Sequence, residues 1–413
     1  MAEKQILIIG YTWPEPATTA AGGRMMQLIE FFQSKNYGTT FASTATKSEY
    51  SIDLSAFHIK TENTVLNDSS FDIFMKKLNP EIVLFDRFLT EEQFGWRVAE
   101  FTPGALRILD TEDLHSLRHV REQLFKSKIE YTPTKWLQSE ITKREIASIY
   151  RCDLSLIIST YEMELLLNEV KMDKSLLLQL PFQLDKIDNT KIATWPKLNT
   201  RKGFIYIGNG KHSPNIDAIV WLKNEIWPLI RSSLPKVNLH IYGSYLPEHI
   251  RQMHNPKAGF YVEGWAKNVA EVMGQSRINL APLRFGAGIK GKLIDAMQCG
   301  TPSITTSIGA EGIHGKLPWN GWITDNPESF ANAAVALYNN AVDWRQSQEN
   351  GVAIINTFYD MATLNKRLSD KILNLQNALT AHRETNFFGA LLRHQSLNSN
   401  KYMAKWIEAK NKK

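Results

Sequence analysis

The stretch that decides the fold is PLRFGAGIKGKLIDAMQCGTP, residues 282–302. Gly286, Gly288 and Gly291, with Lys290 and Lys292, stand before an apolar run in which Leu293, Ala296 and Met297 share one helical face. Gly-Thr-Pro then stops the run. On the other side INLAP, residues 278–282, reads as the end of a buried strand. A helix start leaves backbone N–H groups without intrahelical partners and carries the positive end of the helix dipole. Glycines let an anion approach that backbone closely, and the two lysines add charge beside it. Asp295, early in the helix, is an acceptor pair suited to ribose hydroxyls. A phosphorylated ligand fits this pattern, and so does a basic turn with solvated lysines. The loop alone leaves both readings open.

Outward from it, the chain alternates. FIYIG (204–208), VNLHIYG (237–243), GFYVEGW (259–265), TPSITTS (301–307) and GWITDN (321–326) read as strands. Between the first two lies NIDAIVWLKNEIWPLIRSSLP, 215–235, a helix in which a kink or a break is expected at Pro228. The first half behaves alike. QILIIG (5–10), GTTFAST (38–44), EIVLFD (81–86), ALRILD (105–110), DLSLIIST (153–160) and SLLLQLP (175–181) are strand-like. GGRMMQLIEFFQSKN (22–36) puts Met25, Leu28, Ile29 and Phe32 on one helical face. This alternation predicts an α/β fold with two doubly wound, Rossmann-like parallel sheets facing a cleft. The expected division is 1–182, a polar linker 183–202, a second domain 203–360, and C-terminal helices 361–413 that pack back on the first domain and end in a basic tail. Ligands of such sheets bind outside the carboxyl ends of the strands.

Composition narrows the function classes. A chain of 413 residues exceeds one ordinary core. Apolar residues at 43% and charged residues at 22% are those of a globular protein, and no apolar run reaches the roughly 18 residues of a span. The apolar run near the N-terminus meets Pro and Glu too soon for a signal peptide. Two cysteines, Cys152 and Cys299, exclude a disulfide framework and point to a cytoplasmic location. The net charge of +6 favours anionic partners. Nucleic acid is not expected, because no aromatic-basic module accompanies the charge. A dinucleotide oxidoreductase is disfavoured, since GYTWPEP and GNGKHSPN follow the two leading strands where G-x-G-x-x-G would stand.

The ordered series FIYIG…SPNIDAIVWLKNEIWPLI…LHIYG…VEGW…INLAPLRFGAGIKGKLIDAMQCGTPSITTSIGAEGI resembles the C-terminal domain of family 4 glycosyltransferases of the GT-B fold. It is most similar to the subgroup whose loop reads P-L-R-x-G-A-G. The first half resembles the family more loosely, through ILIIG…AAGGRMMQLIEFF. The resemblance implies transfer of a sugar from a nucleotide-diphosphate sugar, with retention, to a glycan, a lipid-linked acceptor or a small molecule. It implies no separate cofactor and no metal. Carried over by position, the donor would meet Gly22, Gly23 and Arg24 on one side. On the other it would meet Gly208, Lys211, Arg284, Gly286, Gly288, Lys290, Lys292, Asp295 and Glu311. The sequence departs from the family at Ala287, where the first Glu of E-x7-E would stand, and at Asp295, where the second would. GNGKHSPN keeps only Lys211 of the usual cation pair. A catalytically degenerate nucleotide-sugar-binding protein is therefore the alternative.

Two charged clusters follow first-domain strands: FDRFLTEEQFGWR (85–97) and LDTEDLHSLRHVR (109–121). The second reads as helix capping, with Asp110 or Thr111 as N-cap, or as an acceptor-side cluster with His115 and Asp113 as catalytic candidates. A metal reading lacks a second His at helical spacing. Asp86 and Arg87 share the candidacy. Trp13 and Trp96 are expected to pack rather than stack on a sugar. The tail, 383–413, mixes aromatics and cations. Packing is expected as far as Leu392; beyond it, packing and a peripheral contact with the inner face of a membrane both stay open.

Overall fold

The computed structural model describes residues 4–412; Met1–Glu3 and Lys413, the ends of the stretches read above, lie outside. Two parallel sheets organise the chain. The first contains β1 (Lys4–Gly10), β2 (Tyr37–Ser43), β3 (Lys60–Asn63), β4 (Ile82–Asp86), β5 (Leu106–Asp110), β6 (Leu154–Ile157) and β7 (Leu177–Gln179), in the order β3-β2-β1-β4-β5-β6-β7. The second contains β8 (Lys202–Ile207), β9 (Leu239–Tyr242), β10 (Phe260–Gly264), β11 (Ser276–Ala281), β12 (Ser303–Thr305) and β13 (Gly321–Ile323), in the order β10-β9-β8-β11-β12-β13.

The strands are apolar on both faces because helices cover both. In β1, Ile6 and Ile8 enter one core with Ile82, Leu84, Leu106 and Ile108. Leu7 and Ile9 enter another with Val83, Phe85 and Leu109. The period of two thus feeds two layers, as expected of a parallel sheet. Helix Met361–Asn377 returns to the first domain and adds Leu364, Leu368, Ile372 and Leu375 to its core.

Pro228 marks a break, as expected, but the chain solves it with a π turn. Helix Ser213–Trp221 runs into the wide turn Leu222–Ile226, and helix Trp227–Ser233 restarts with the proline in its first turn. There the missing N–H costs nothing. The polar stretch before β8 is not structureless: it forms a short helix, Asn189–Ala193, and Trp195 Nε1 donates to the Gln298 carbonyl at 3.1 Å.

Each sheet reverses direction of winding at one point, between β1 and β4 and between β8 and β11. Crevices form there at strand carboxyl ends. The two crevices face each other.

Candidate active site

One cavity of about 690 Å³ occupies the space between them. The second domain supplies residues after β8, β9, β10 and β11, among them Gly208, Lys211, Asn215, Trp265 and the segment 285–292. The first domain supplies Tyr11, the turn 16–21, Arg87, Glu112, Asp113, His115 and Arg118.

Helix Gly291–Gln298 points its N-terminus into this space, and its N-cap residue, Lys290, makes no side-chain cap. Lys290 Nζ folds back to donate to the Gly288 carbonyl at 2.9 Å. Lys292 Nζ donates to Tyr206 Oη at 2.9 Å and Asn215 Oδ1 at 2.7 Å, and lies 4.2 Å from the Tyr206 ring centroid. Burial lowers Lys290 to about 8 and Lys292 to about 7, against the opposing pull of Glu311 on the first and Asp295 on the second. The direct ligands of Lys292 are neutral, so its charge is only partly offset. A cation held this way is stabilised by an arriving anion. Gly208 makes room for the arrangement: a Cβ there would lie 2.8 Å from Asn215 Cγ and 2.9 Å from Tyr206 Oη. Asp295 lines the cavity with its side chain open to it.

Across the cleft, Asp113 gathers partners. His115 Nε2 lies 3.3 Å and Arg118 Nε 3.0 Å from its carboxylate. Arg118 also reaches His212 Nδ1 of the other domain at 3.5 Å. Burial holds His115 down to about 3 and His212 down to about 4, with Arg118 and Arg87 adding to it. Both imidazoles are therefore neutral near pH 7, and His115 can donate its Nε2 proton to an ionised Asp113. Arg87 (φ 71°) and Glu112 (φ 63°) hold left-handed backbone without being glycine. Such strain is kept only where surrounding structure enforces it, commonly at working sites.

Helix His115–Lys126 carries this group, and its N-terminus is capped by neither Asp110 nor Thr111. The N-cap residue is Leu114. Glu162 accepts from Leu114 N at 2.8 Å, and Glu145 accepts from His115 N and Ser116 N at 2.9 Å each. Both glutamates are buried, and burial raises them to about 7 and about 8. Glu162 also accepts from Gly288 N, 3.0 Å away in the other domain. Gly288 has φ +64°, and a Cβ there would stand 2.7 Å from Asp113 Cβ. The glycine therefore serves the approach of the first domain as well as any ligand.

Of the residues expected to meet the donor, Gly23, Gly208, Lys211, Gly286, Gly288, Lys290, Lys292 and Asp295 line the cavity, as do His115 and Asp113. Ala287, the departure, lines it too. Four of the expected residues are engaged by other protein groups. Gly22 faces away: its N–H donates to Thr19 Oγ1 at 2.9 Å, and a Cβ would strike the Glu15 backbone. It permits a tight turn. Arg24 touches the cavity wall, but its guanidinium is consumed by Asp110 (2.8 Å) and by the Leu180 and Pro181 carbonyls (2.7 and 3.2 Å). Arg284 pairs with Asp217 at 2.6 Å, between the rings of Phe125 and Trp221. Glu311 is taken by Arg121 through contacts of 2.7 and 2.9 Å. Trp13 and Trp96 are buried. Sequence reading missed Tyr206, Asn215 and Glu162. Their only signal was an apolar strand or a helix start, which fails to mark a lysine's ligands.

Two α/β domains meeting at opposed switch points define the GT-B class of architecture. Residues 201–340 match the family model "Glycosyl transferases group 1". Sucrose-phosphate synthase from Thermosynechococcus elongatus superposes with a TM-score of 0.68 at 15% identity, over 91% of this chain and 100% of that one. Anabaena Alr3699/HepE in complex with UDP and glucose gives 0.65 at 12%, over 90% and 100%. The same protein in complex with UDP-glucose gives 0.64 at 13%, over 90% and 100%. These likenesses establish the fold. An "Uncharacterized 44.6 kDa protein in cps region" from Klebsiella pneumoniae is 23% identical over 192 residues, 44% of this chain and 46% of that protein. The match thus spans less than half the length of that relative. The family model thus covers part of the second domain and the glycine loop within it.

Proposed function

We propose that this protein is a retaining, family 4 glycosyltransferase of the PLRxGAG subgroup, moving a sugar from a nucleotide-diphosphate sugar to an acceptor in glycan or cell-surface polysaccharide synthesis. The observation that carries the reading is Lys292, a half-buried cation with neutral ligands beside an uncapped helix N-terminus at the β8/β11 switch point. Lys290, Lys292 and the helix dipole neutralise the charge that grows on the departing diphosphate. Asp295 receives ribose hydroxyls. The donor is the only small molecule besides the acceptor; the site's own cations take the part a metal plays elsewhere. The UDP and UDP-glucose of the Anabaena complexes, and the capsule-region name of the Klebsiella relative, support a nucleotide-sugar donor and a polysaccharide context.

Ala287 removes one carboxylate from the family's pattern. Asp113 comes from the opposite domain to the same loop, and with neutral His115 it supplies the polar groups next to the transferred sugar. The cytoplasm is the compartment that holds such donors.

Calorimetry with UDP, GDP, ADP and dTDP, followed by nucleotide release from the matching sugar donors, tests the reading. Binding of one diphosphate with slow release from its sugar is expected. Binding without turnover would favour the degenerate binding protein that Ala287 suggests. No binding would leave the loop at 286–292 a basic turn.

A further inference from the structure

The last part of the chain forms one continuous helical rod: Phe387–Leu392, the π turn Arg393–Leu397, and Asn398–Asn411. At 1.5 Å per residue it is roughly 35 Å long. A π turn carries one residue more than an α turn and so sets the following residues back by about 100°. With that correction, Phe387, Leu391, Tyr402, Trp406 and Lys410 fall on a single stripe about 80° wide. Gly389, Ala404 and Glu408 fall on the opposite side.

The inner side is docked. Gly389 sits against the Tyr150 carbonyl, where a Cβ would come to 2.3 Å. Leu397 and Ala404 pack on Trp96. Glu408 accepts from Ser69 Oγ at 2.6 Å, and Asn400 donates to the Glu92 carbonyl at 3.1 Å. The outer stripe faces solvent: Phe387 is 69% exposed, Tyr402 68% and Trp406 63%, with Phe388, Leu391 and Met403 also exposed. Lys410 Nζ lies 5.3 Å from the Trp406 ring. From Phe387 to Lys412 the chain carries five cations against one acid, Glu408; Lys401 pairs with Glu100 and Lys412 with Glu408 at 2.7 Å each, Arg393 turns to the Arg151 carbonyl, and Lys405 and Lys410 stay exposed.

We infer that this stripe is a docking surface for an anionic lipid bilayer, lying flat on it and holding the first domain at the membrane. A protein interface also favours aromatics, but it is depleted in lysine, whereas Lys405 and Lys410 stand exposed beside this stripe. Here the apolar groups are mainly aromatic, and Tyr and Trp settle at the level of lipid headgroups, where one end is wet. Lys405 and Lys410, both exposed, flank them and complement anionic headgroups. No helix among the described residues is long and apolar enough to cross a membrane, so the contact is peripheral. The rod holds its face rigidly, so the surface is formed before binding.

The full chain is sedimented with vesicles of phosphatidylcholine alone and with one-third phosphatidylglycerol. Phe387→Ser/Tyr402→Ser/Trp406→Ser is the variant; its circular dichroism, melting temperature and nucleotide affinity should be unchanged. Binding to the anionic vesicles, at least about tenfold weaker in the variant and weakened by salt, is expected. A wild-type chain that stays in the supernatant with anionic vesicles overturns the inference, and so does equal partition of the variant. A wild type that dimerises in velocity sedimentation while the variant does not would assign the face to a second copy instead.

Discussion

At the residue scale, Lys292 concentrates the argument. Its ammonium is half-buried and donates to two neutral oxygens, so a diphosphate arriving at the helix start adds a charge-assisted contact that these ligands do not supply. Such contacts are worth about 1.5–3 kcal/mol. Lys292→Ala is therefore expected to weaken nucleoside-diphosphate binding by roughly ten- to hundredfold, read by calorimetry, with the melting temperature nearly kept. Because burial brings Lys292 to about 7, the wild-type affinity should fall as pH rises above 7, and the variant should lose that slope. His115 behaves oppositely to a free histidine. With its pKa held near 3, it stays neutral through the physiological range and contributes no inflection near 6.5 to a rate–pH profile. Its neutral burial favours the fold fully above pH 6.5, and that contribution is lost as pH falls toward 3. His115→Gln should flatten the acid limb of the stability curve followed by melting temperature, and a wild-type inflection at 6.5 that the variant abolishes would contradict this.

At the element scale, the helix that carries His115, Arg118 and Arg121 depends on caps from far along the chain. Glu145 lies 30 residues from His115 and Glu162 lies 48 from Leu114. Glu145→Ala leaves two helix N–H groups and the Ser116 hydroxyl without an acceptor in a buried place, which should cost about 2–4 kcal/mol in denaturant unfolding. The isosteric Glu145→Gln separates charge from shape. Glu145 is raised to about 8 by burial, so its contribution is fully present below its unfolded value of about 4.5 and is lost as pH rises through 8. The wild type should therefore lose more stability than Glu145→Gln between pH 5 and pH 8. These caps also show what local sequence carries and what it does not. The strands were legible because a parallel sheet buries both faces, as in ILII of β1. The break at Pro228 was legible because proline lacks a donor. The helix start of 282–302 was legible because glycines and a stop bracket it. A cap from another helix leaves no mark at the site it caps, so LDTED offered Asp110 and Thr111 instead. Asp110 was committed to Arg24, 86 residues away. The ligands of Lys292 and the pairing of Glu311 were hidden for the same reason: they are decided by packing, not by spacing.

At the scale of the whole molecule, the two domains are joined around the cavity by polar contacts. Arg121 is the most committed. Its guanidinium lies within 4.8 and 4.9 Å of the ring centroids of Tyr131 and Tyr161, grips Glu311 with both nitrogens, and donates to the Gly286 carbonyl at 2.9 Å. It therefore ties the first domain both to the glycine loop and to the turn after β12. Arg121 is nearly buried and Glu311 largely so. Removing one partner of such a pair strands the other, which costs about 3–5 kcal/mol where both are fully buried and less here. That cost falls on the closed arrangement alone, because in an opened cleft Glu311 is wet. Arg121→Ala should accordingly act as a domain-opening substitution rather than as a general destabiliser. Small-angle scattering should report a larger radius of gyration for the variant than for the wild type without nucleotide. Diphosphate affinity should fall in proportion to the lost closed population. Glu311→Gln, which keeps an acceptor for one guanidinium nitrogen, should lie between the two. If Arg121→Ala instead lowered the melting temperature of the first domain with no change in scattering, the residue would be a packing element of that domain. The cleft would then owe its closure to Glu162 and Gly288.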